Sequence, residues 1–176
     1  MENSLQLAYV VCLVMLLAVS AGLVIRQVLR TRATETTLNR LQNQVTQGEA
    51  NPDALYELGG IYLRKKLYGQ AAGYLQKALR SWPEEDAAGR ARVCNALGYA
   101  CFAQDQYDVA IRHYRDALKL LPDYVTAWNN LGHAYEKKKL TAQALEAYDQ
   151  ALAQDGSNGT ARRRAEALRK RLAPTA

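Results

Sequence analysis

Trp128-Asn-Asn-Leu-Gly-His-Ala-Tyr135 decides how this chain is read. Its Trp, Leu, Gly and Tyr fall at i, i+3, i+4 and i+7, one stripe of a helix. The same spacing occurs at Leu55-x-x-Leu58-Gly59-x-x-Tyr62 and Cys94-x-x-Leu97-Gly98-x-x-Cys101. Nine residues past each stretch comes an alanine (Ala71, Ala110, Ala144), then Leu75, Tyr114 or Tyr148, then Ala78, Ala117 or Ala151. Pro83 and Pro122 close the first two units, and Gly156 takes that place in the third. The second and third stretches lie 34 residues apart and the first two 39, so about five residues are inserted near 84–90. Self-similarity at a fixed period outranks any single motif.

This pattern resembles the tetratricopeptide repeat (TPR), a pair of antiparallel helices per unit. Small residues at Gly59, Gly98, Gly132 and at Ala71, Ala110, Ala144 let the two helices of a unit approach closely. Large residues at the other signature positions fill the space between them and toward the next unit. The expected fold is all-α, a three-unit TPR solenoid over residues 51–172 with units at about 52–85, 91–124 and 125–158. Residues 160–172 read as a capping helix, with Ala161, Ala165, Leu168 and Leu172 on one stripe and Arg162, Arg163, Arg169 and Lys170 opposite. A repeat stack needs such a polar-backed helix at its end. The basic run is also a candidate electrostatic contact with anionic headgroups or an acidic partner.

Residues 1–6 form a short tail, and 7–25 carry no charge. As a helix at ~1.5 Å per residue the second stretch spans ~28 Å, near the ~30 Å hydrocarbon thickness, so it is expected to be a transmembrane anchor. Ala18-Val-Ser20 before Ala21 resembles a signal-peptidase site, but the tail holds only Glu2 where a signal peptide needs basic residues. Arg26, Arg30 and Arg32 follow the stretch instead, which predicts that the repeats stay on the cytoplasmic or stromal side. Residues 26–50 are a linker, either a helical stalk or a partner site that orders on binding. Leu38, Leu41 and Val45 give it a thin apolar stripe.

The +6 net charge looks at first like a nucleic-acid signal. Yet the excess sits at the ends: Arg26, Arg30, Arg32 and Arg40 against Glu2 and Glu35, and Arg162, Arg163, Arg164, Arg169, Lys170 and Arg171 against Glu166. A nucleic-acid binder carries its basic field across the folded face, and this chain does not. Catalytic patterns are missing too: no phosphate loop, nucleophile elbow or paired carboxylates. Cys94 and Cys101 lie ~10 Å apart along one helix, too far for a disulfide, and read as packing residues. Cys12 falls inside the apolar stretch. His113 reads as a surface or inter-repeat residue, and His133 has no Cys or carboxylate at i±4 to form a metal pair. No enzyme activity, cofactor, metal, nucleic acid or small-molecule substrate is expected.

The first helix of each TPR unit lines a concave groove, and the register aims specific residues into it. They are Asp53, Tyr56, Leu63 and Arg64; Arg92, Asn95, Tyr99 and Phe102; and Thr126, Asn129, His133, Glu136 and Lys137. Aromatic platforms among amides and both charge signs suit an extended peptide or a partner helix. TPR proteins that clamp the C-terminal carboxylate of heat-shock chaperones carry Lys and Asn on the first unit and Lys and Arg on the third. Here those places hold Tyr56, Gly60, Thr126 and Asn130, which disfavours that ligand.

The whole layout resembles a narrower family of thylakoid TPR proteins from cyanobacteria and plastids. The discriminating piece is the linker Arg26-Gln-Val-Leu-Arg-Thr-Arg-Ala-Thr-Glu-Thr-Thr-Leu-Asn-Arg-Leu-Gln-Asn-Gln44, joined to the third unit's Trp128 to Tyr135 stretch. The resemblance implies a non-enzymatic factor in the thylakoid membrane, with a single span, that assists assembly or stable accumulation of photosystem I. Its partners would be photosystem I subunits or other assembly factors. The competing expectation is a general bacterial envelope scaffold for secretion or pilus assembly.

Overall fold

The computed structural model describes residues 2–172, with side chains described for 13–172 except positions 30, 31, 33 and 34. The regular structure of the described residues is helical throughout: α1 Glu2–Thr46, α2 Pro52–Arg64, α3 Tyr68–Ser81, α4 Ala87–Phe102, α5 Tyr107–Leu120, α6 Val125–Lys137, α7 Thr141–Gln154 and α8 Gly159–Leu172. Each helix packs mainly on the ones before and after it, with α2/α3, α4/α5 and α6/α7 the most intimate pairs. Weaker contacts join α2 to α4 and α4 to α6, so the first helices of successive pairs stand side by side. That is a TPR solenoid.

The signature residues explain the pairing. A Cβ on Gly59 would stand 2.6 Å from Leu75 Cγ, one on Gly98 2.5 Å from Tyr114 Cε1, and one on Gly132 2.8 Å from Tyr148 Cε1. Each glycine of a first helix therefore makes room for the large signature residue of its second helix. Leu75, Tyr114 and Tyr148 are all buried, as are Ala71, Ala110 and Ala144.

The inserted residues lengthen α4. Ala87 starts it seven residues ahead of Cys94, whereas Pro52 and Val125 start α2 and α6 only three ahead of Leu55 and Trp128. The extra turn is fastened by Asp86. One carboxylate oxygen caps the helix by accepting the Gly89 N–H at 2.8 Å, and the other accepts the Trp82 indole N–H at 2.9 Å. Trp82 is thereby held in the core between the first two units, edge-on to Tyr56. These donors, the Gly89 N–H first and then the Trp82 indole, hold the Asp86 carboxyl below the usual carboxylate range. A depressed folded value means stability that is present above the ordinary value and is lost as pH falls through the folded one. Asp86→Asn should therefore lower the melting midpoint at neutral pH, with a gap to wild type that narrows below about pH 4. A gap constant from pH 7 to pH 3 in thermal melts would contradict this.

At the N-terminal side the structure corrects the expected architecture. Anchor and linker are one continuous helix of 45 residues. Its last turns dock on the repeats: Leu38 and Leu41 are buried against Leu58, Ile61 and Tyr62, and Gln42 Nε2 donates to the Tyr62 hydroxyl at 2.8 Å. Lys65 pairs with Glu35 across the same joint.

The expected transmembrane helix is overturned. Among the described residues, no helix is long and apolar enough to cross a membrane. The uncharged run with described side chains covers 13–25, about 20 Å at 1.5 Å per residue, short of the ~30 Å hydrocarbon thickness. Positions 7–12, on which that expectation also rested, lie outside the described side chains. With the anchor falls the expected single-pass placement in the thylakoid membrane with the repeats on the cytoplasmic or stromal side.

Candidate protein-binding groove

Burial of Leu55, Leu58, Leu97, Leu131 and their neighbours leaves one side of α2, α4 and α6 unpacked. Along it Asp53, Arg64, Arg92, Tyr99, Thr126 and Lys137 are exposed, while Tyr56, Leu63, Asn95, Phe102, Asn129, His133 and Glu136 are half-buried. The half-buried residues are partly engaged with one another or with the core, and their partners separate fixed elements from free ones.

Asn95 belongs to an amide bridge between units. Asn130 Nδ2 donates to Asn95 Oδ1 at 2.9 Å, and Asn95 Nδ2 donates weakly to the Tyr124 hydroxyl at 3.4 Å. Beside it, Asn129 Oδ1 is buried and has no hydrogen-bond partner among the described residues. A buried unsatisfied acceptor costs about 1–3 kcal/mol unless something supplies a donor. Turned into the groove by rotation of its half-buried side chain, this oxygen would accept a peptide N–H laid there.

Phe102 sits between His133, at 4.8 Å between ring centroids, and Tyr107, at 5.4 Å. Burial pushes the His133 imidazole below its ordinary value, and the charge of Arg164 pushes the same way against the opposing pull of Glu136. His133 is thus a neutral ring at pH 7, a stacking and hydrogen-bonding surface rather than a cation.

Glu136 is already occupied. It accepts the Tyr148 hydroxyl at 2.6 Å and Arg164 Nη1 at 3.2 Å, tying α6 to α7 and α8. Burial, reinforced by Glu136, pushes the Tyr148 phenol up, so the hydroxyl stays a donor. The sequence pattern marks Tyr148 as a repeat-signature residue and Arg164 as part of the basic run, and assigns neither of them, nor Tyr124 or Asn130, a bond to a groove residue. Only the 34-residue spacing between Asn130 and Arg164, two side chains that both reach toward the preceding first helix, could have pointed to two of them.

Tyr99 is the most open aromatic of the groove. It is 44% exposed and touches Tyr68 edge-on at 6.5 Å. The basic residues of α8 divide. Arg162 donates to the Gly156 carbonyl and Arg169 to Asp149, so neither is available to the groove. Cys94 and Cys101 are buried and unbonded, and burial pushes both thiols up. Among the described residues no three His, Cys, Asp or Glu side chains gather into a metal site.

The model for a TPR repeat matches residues 98–139, and further tetratricopeptide-repeat models match 125–158 and 38–86. The last begins in α1, at the turns that dock on α2. The chain is 44% identical over 171 residues to the tetratricopeptide repeat domain-containing protein PYG7, chloroplastic, of Arabidopsis thaliana, covering 97% of this chain and 56% of that protein. It therefore spans little more than half the length of that relative. The ycf37 protein of Cyanophora paradoxa is 32% identical, with 93% of this chain and 95% of that protein covered. That of Guillardia theta is 33% identical, with 98% and 97% covered. Among solved structures, MamA superposes with a TM-score of 0.73 at 22% identity, over 81% of each chain. The first TPR domain of Spaghetti (RPAP3), solved with an HSP90 peptide, gives 0.65 at 20% identity over 70% of this chain and 94% of that one. These likenesses confirm the fold. The repeats make the chain a protein-interaction scaffold and not an enzyme.

Proposed function

The chain belongs to the family of TPR proteins that includes PYG7 and the ycf37 proteins, and on that premise we propose that it assists assembly or stable accumulation of photosystem I by holding a protein segment in its groove. One observation carries the reading most: the match to the ycf37 proteins runs nearly end to end, through the linker as well as the repeats. A likeness confined to the repeats would say only that proteins are bound. The linker is the piece that resembles the photosystem I factors of cyanobacteria and plastids. The groove supports the holding role, since it offers an open tyrosine, a buried amide lacking a donor and exposed charges on one face. The partner would be a photosystem I subunit or another assembly factor.

The test is photosystem I content relative to photosystem II in cells lacking the protein. A selective fall in photosystem I, restored by the wild-type chain, is expected. Unchanged photosystem I, above all under strong light, would overturn the proposal.

A further inference from the structure

Helix α8 repeats α6. The buried residues of α6 include Ala127, Leu131 and Ala134, and those of α8 are Ala161, Ala165 and Leu168, each 34 positions later. α8 packs on α7 as α6 packs on α5, so it stands where the first helix of a further unit would stand. The period carries Asn129 to Arg163, Glu136 to Lys170 and Lys137 to Arg171. It carries Trp128 to Arg162 and Tyr135 to Arg169, which lie off the groove rows.

The partners of these cations sort the same way. Arg162 and Arg169 are tied to Gly156 and Asp149, and Arg164 is spent on Glu136. Arg163, Lys170 and Arg171 are exposed and form no ion pair among the described residues. The cations left unpaired are those that fall on groove rows. On the neighbouring helix Lys137 adds a further exposed charge, while the carboxylate of that stretch, Glu136, is already neutralised. Glu166, 34 positions after Gly132, lies one turn from both Arg163 and Lys170 on their side of α8, and it pairs with neither among the described residues, so three cations there face a single carboxylate.

We infer that α8 is the last wall of the groove as well as a cap, and that the groove takes an extended acidic peptide segment. This rests on the groove being the binding site. A backbone N–H of the segment meets Asn129 Oδ1, and its Asp or Glu side chains meet Arg163, Lys170 and Arg171. Packed helix axes lie 8–10 Å apart and an extended chain advances ~3.3 Å per residue. The acidic residue therefore follows about three positions from the one bonded to Asn129.

The inference can be tested by selecting binders to the full chain from a random twelve-residue peptide library. The selected peptides should be enriched in Asp or Glu. The triple variant Arg163→Gln, Lys170→Gln, Arg171→Gln should weaken a selected acidic peptide about tenfold at low salt, and by less at high salt. Arg162→Gln with Arg169→Gln should change its binding less than about twofold. Peptides without acidic enrichment, or equal losses from both sets of variants, would overturn the inference. If the peptides still lose binding on Tyr99→Ala, the groove reading survives that outcome. If no peptide depends on Tyr99 or Asn129, the groove reading fails and this inference fails with it.

Discussion

Replacing the buried Gly98 with leucine should lower the melting midpoint of the chain by several degrees. Even a Cβ there would stand 2.5 Å from Tyr114 Cε1 and 2.6 Å from Cδ1. Tyr114 is 1% exposed and packed among Cys94, Cys101, Ala110 and Ala117, so its ring has no free volume to swing into. Either the helix pair of the second unit spreads or the ring leaves its rotamer. Overpacking of this kind costs ~1–3 kcal/mol and sometimes more. For a domain of this size each kcal/mol moves the midpoint by roughly 2–8 °C. The second unit is central and each unit is stabilised by its neighbours, so the wedge weakens two joints at once. Gly132→Leu should act similarly on the third unit. Gly73 is the control, because a Cβ there meets nothing within 4 Å. Gly73→Ala, inside α3, should raise stability by ~0.5–1 kcal/mol. Circular dichroism melts of the three variants decide the matter. An unchanged midpoint for Gly98→Leu would mean the glycine–tyrosine register is wrong.

Truncating Tyr99 to alanine should instead spare the fold and remove function. Its exposed ring rests on Tyr68 by an edge and belongs to no buried cluster, so little packing is lost. Phe102 is a poorer probe, since it fills space between His133 and Tyr107. An aromatic anchor in a groove typically contributes at least ~2 kcal/mol, or ~30-fold in affinity. Photosystem I content in a deletion strain carrying Tyr99→Ala should therefore fall toward that of the deletion itself, with an almost unchanged melting midpoint. Asn129→Ala adds a diagnostic sign. Deleting a buried acceptor that lacks a partner should leave the free protein as stable or more so, while weakening the complex. Full photosystem I in both strains, with both proteins folded, would remove the groove from the mechanism.

Much of the architecture was legible because close helix pairing demands small residues at fixed places. Gly98 facing Tyr114 is a steric requirement, and steric requirements recur visibly at the repeat period. The docking of α1 was not legible in that way. Leu38 and Leu41 make a stripe too thin to separate a stalk from a docked helix, and the Gln42–Tyr62 bond joins residues with no periodic relation. The state of Glu136 was hidden for another reason. Register can aim a carboxylate at a groove, but its capture by Tyr148 and Arg164 depends on side-chain reach from two other helices. The basic run of α8 looked uniform as long as it was read as a cap; placing α8 one period after α6 separates Arg162 and Arg169 from Arg163 and Lys170, and their individual partners sort the same way.

The docking of α1 also fixes a distance. A helix of 45 residues is about 65 Å long at 1.5 Å per residue, and its docking on the repeats is made by its final turns, through Glu35, Leu38 and Leu41. The remainder projects as a strut. A flexible tether of equal residue count would let the repeats sample a broad sphere, whereas a helix locked at one end holds them at a set height and bearing. A partner held at the far end of the strut would thus be kept at a fixed separation from whatever the groove holds, a geometric selection made before any side chain is recognised.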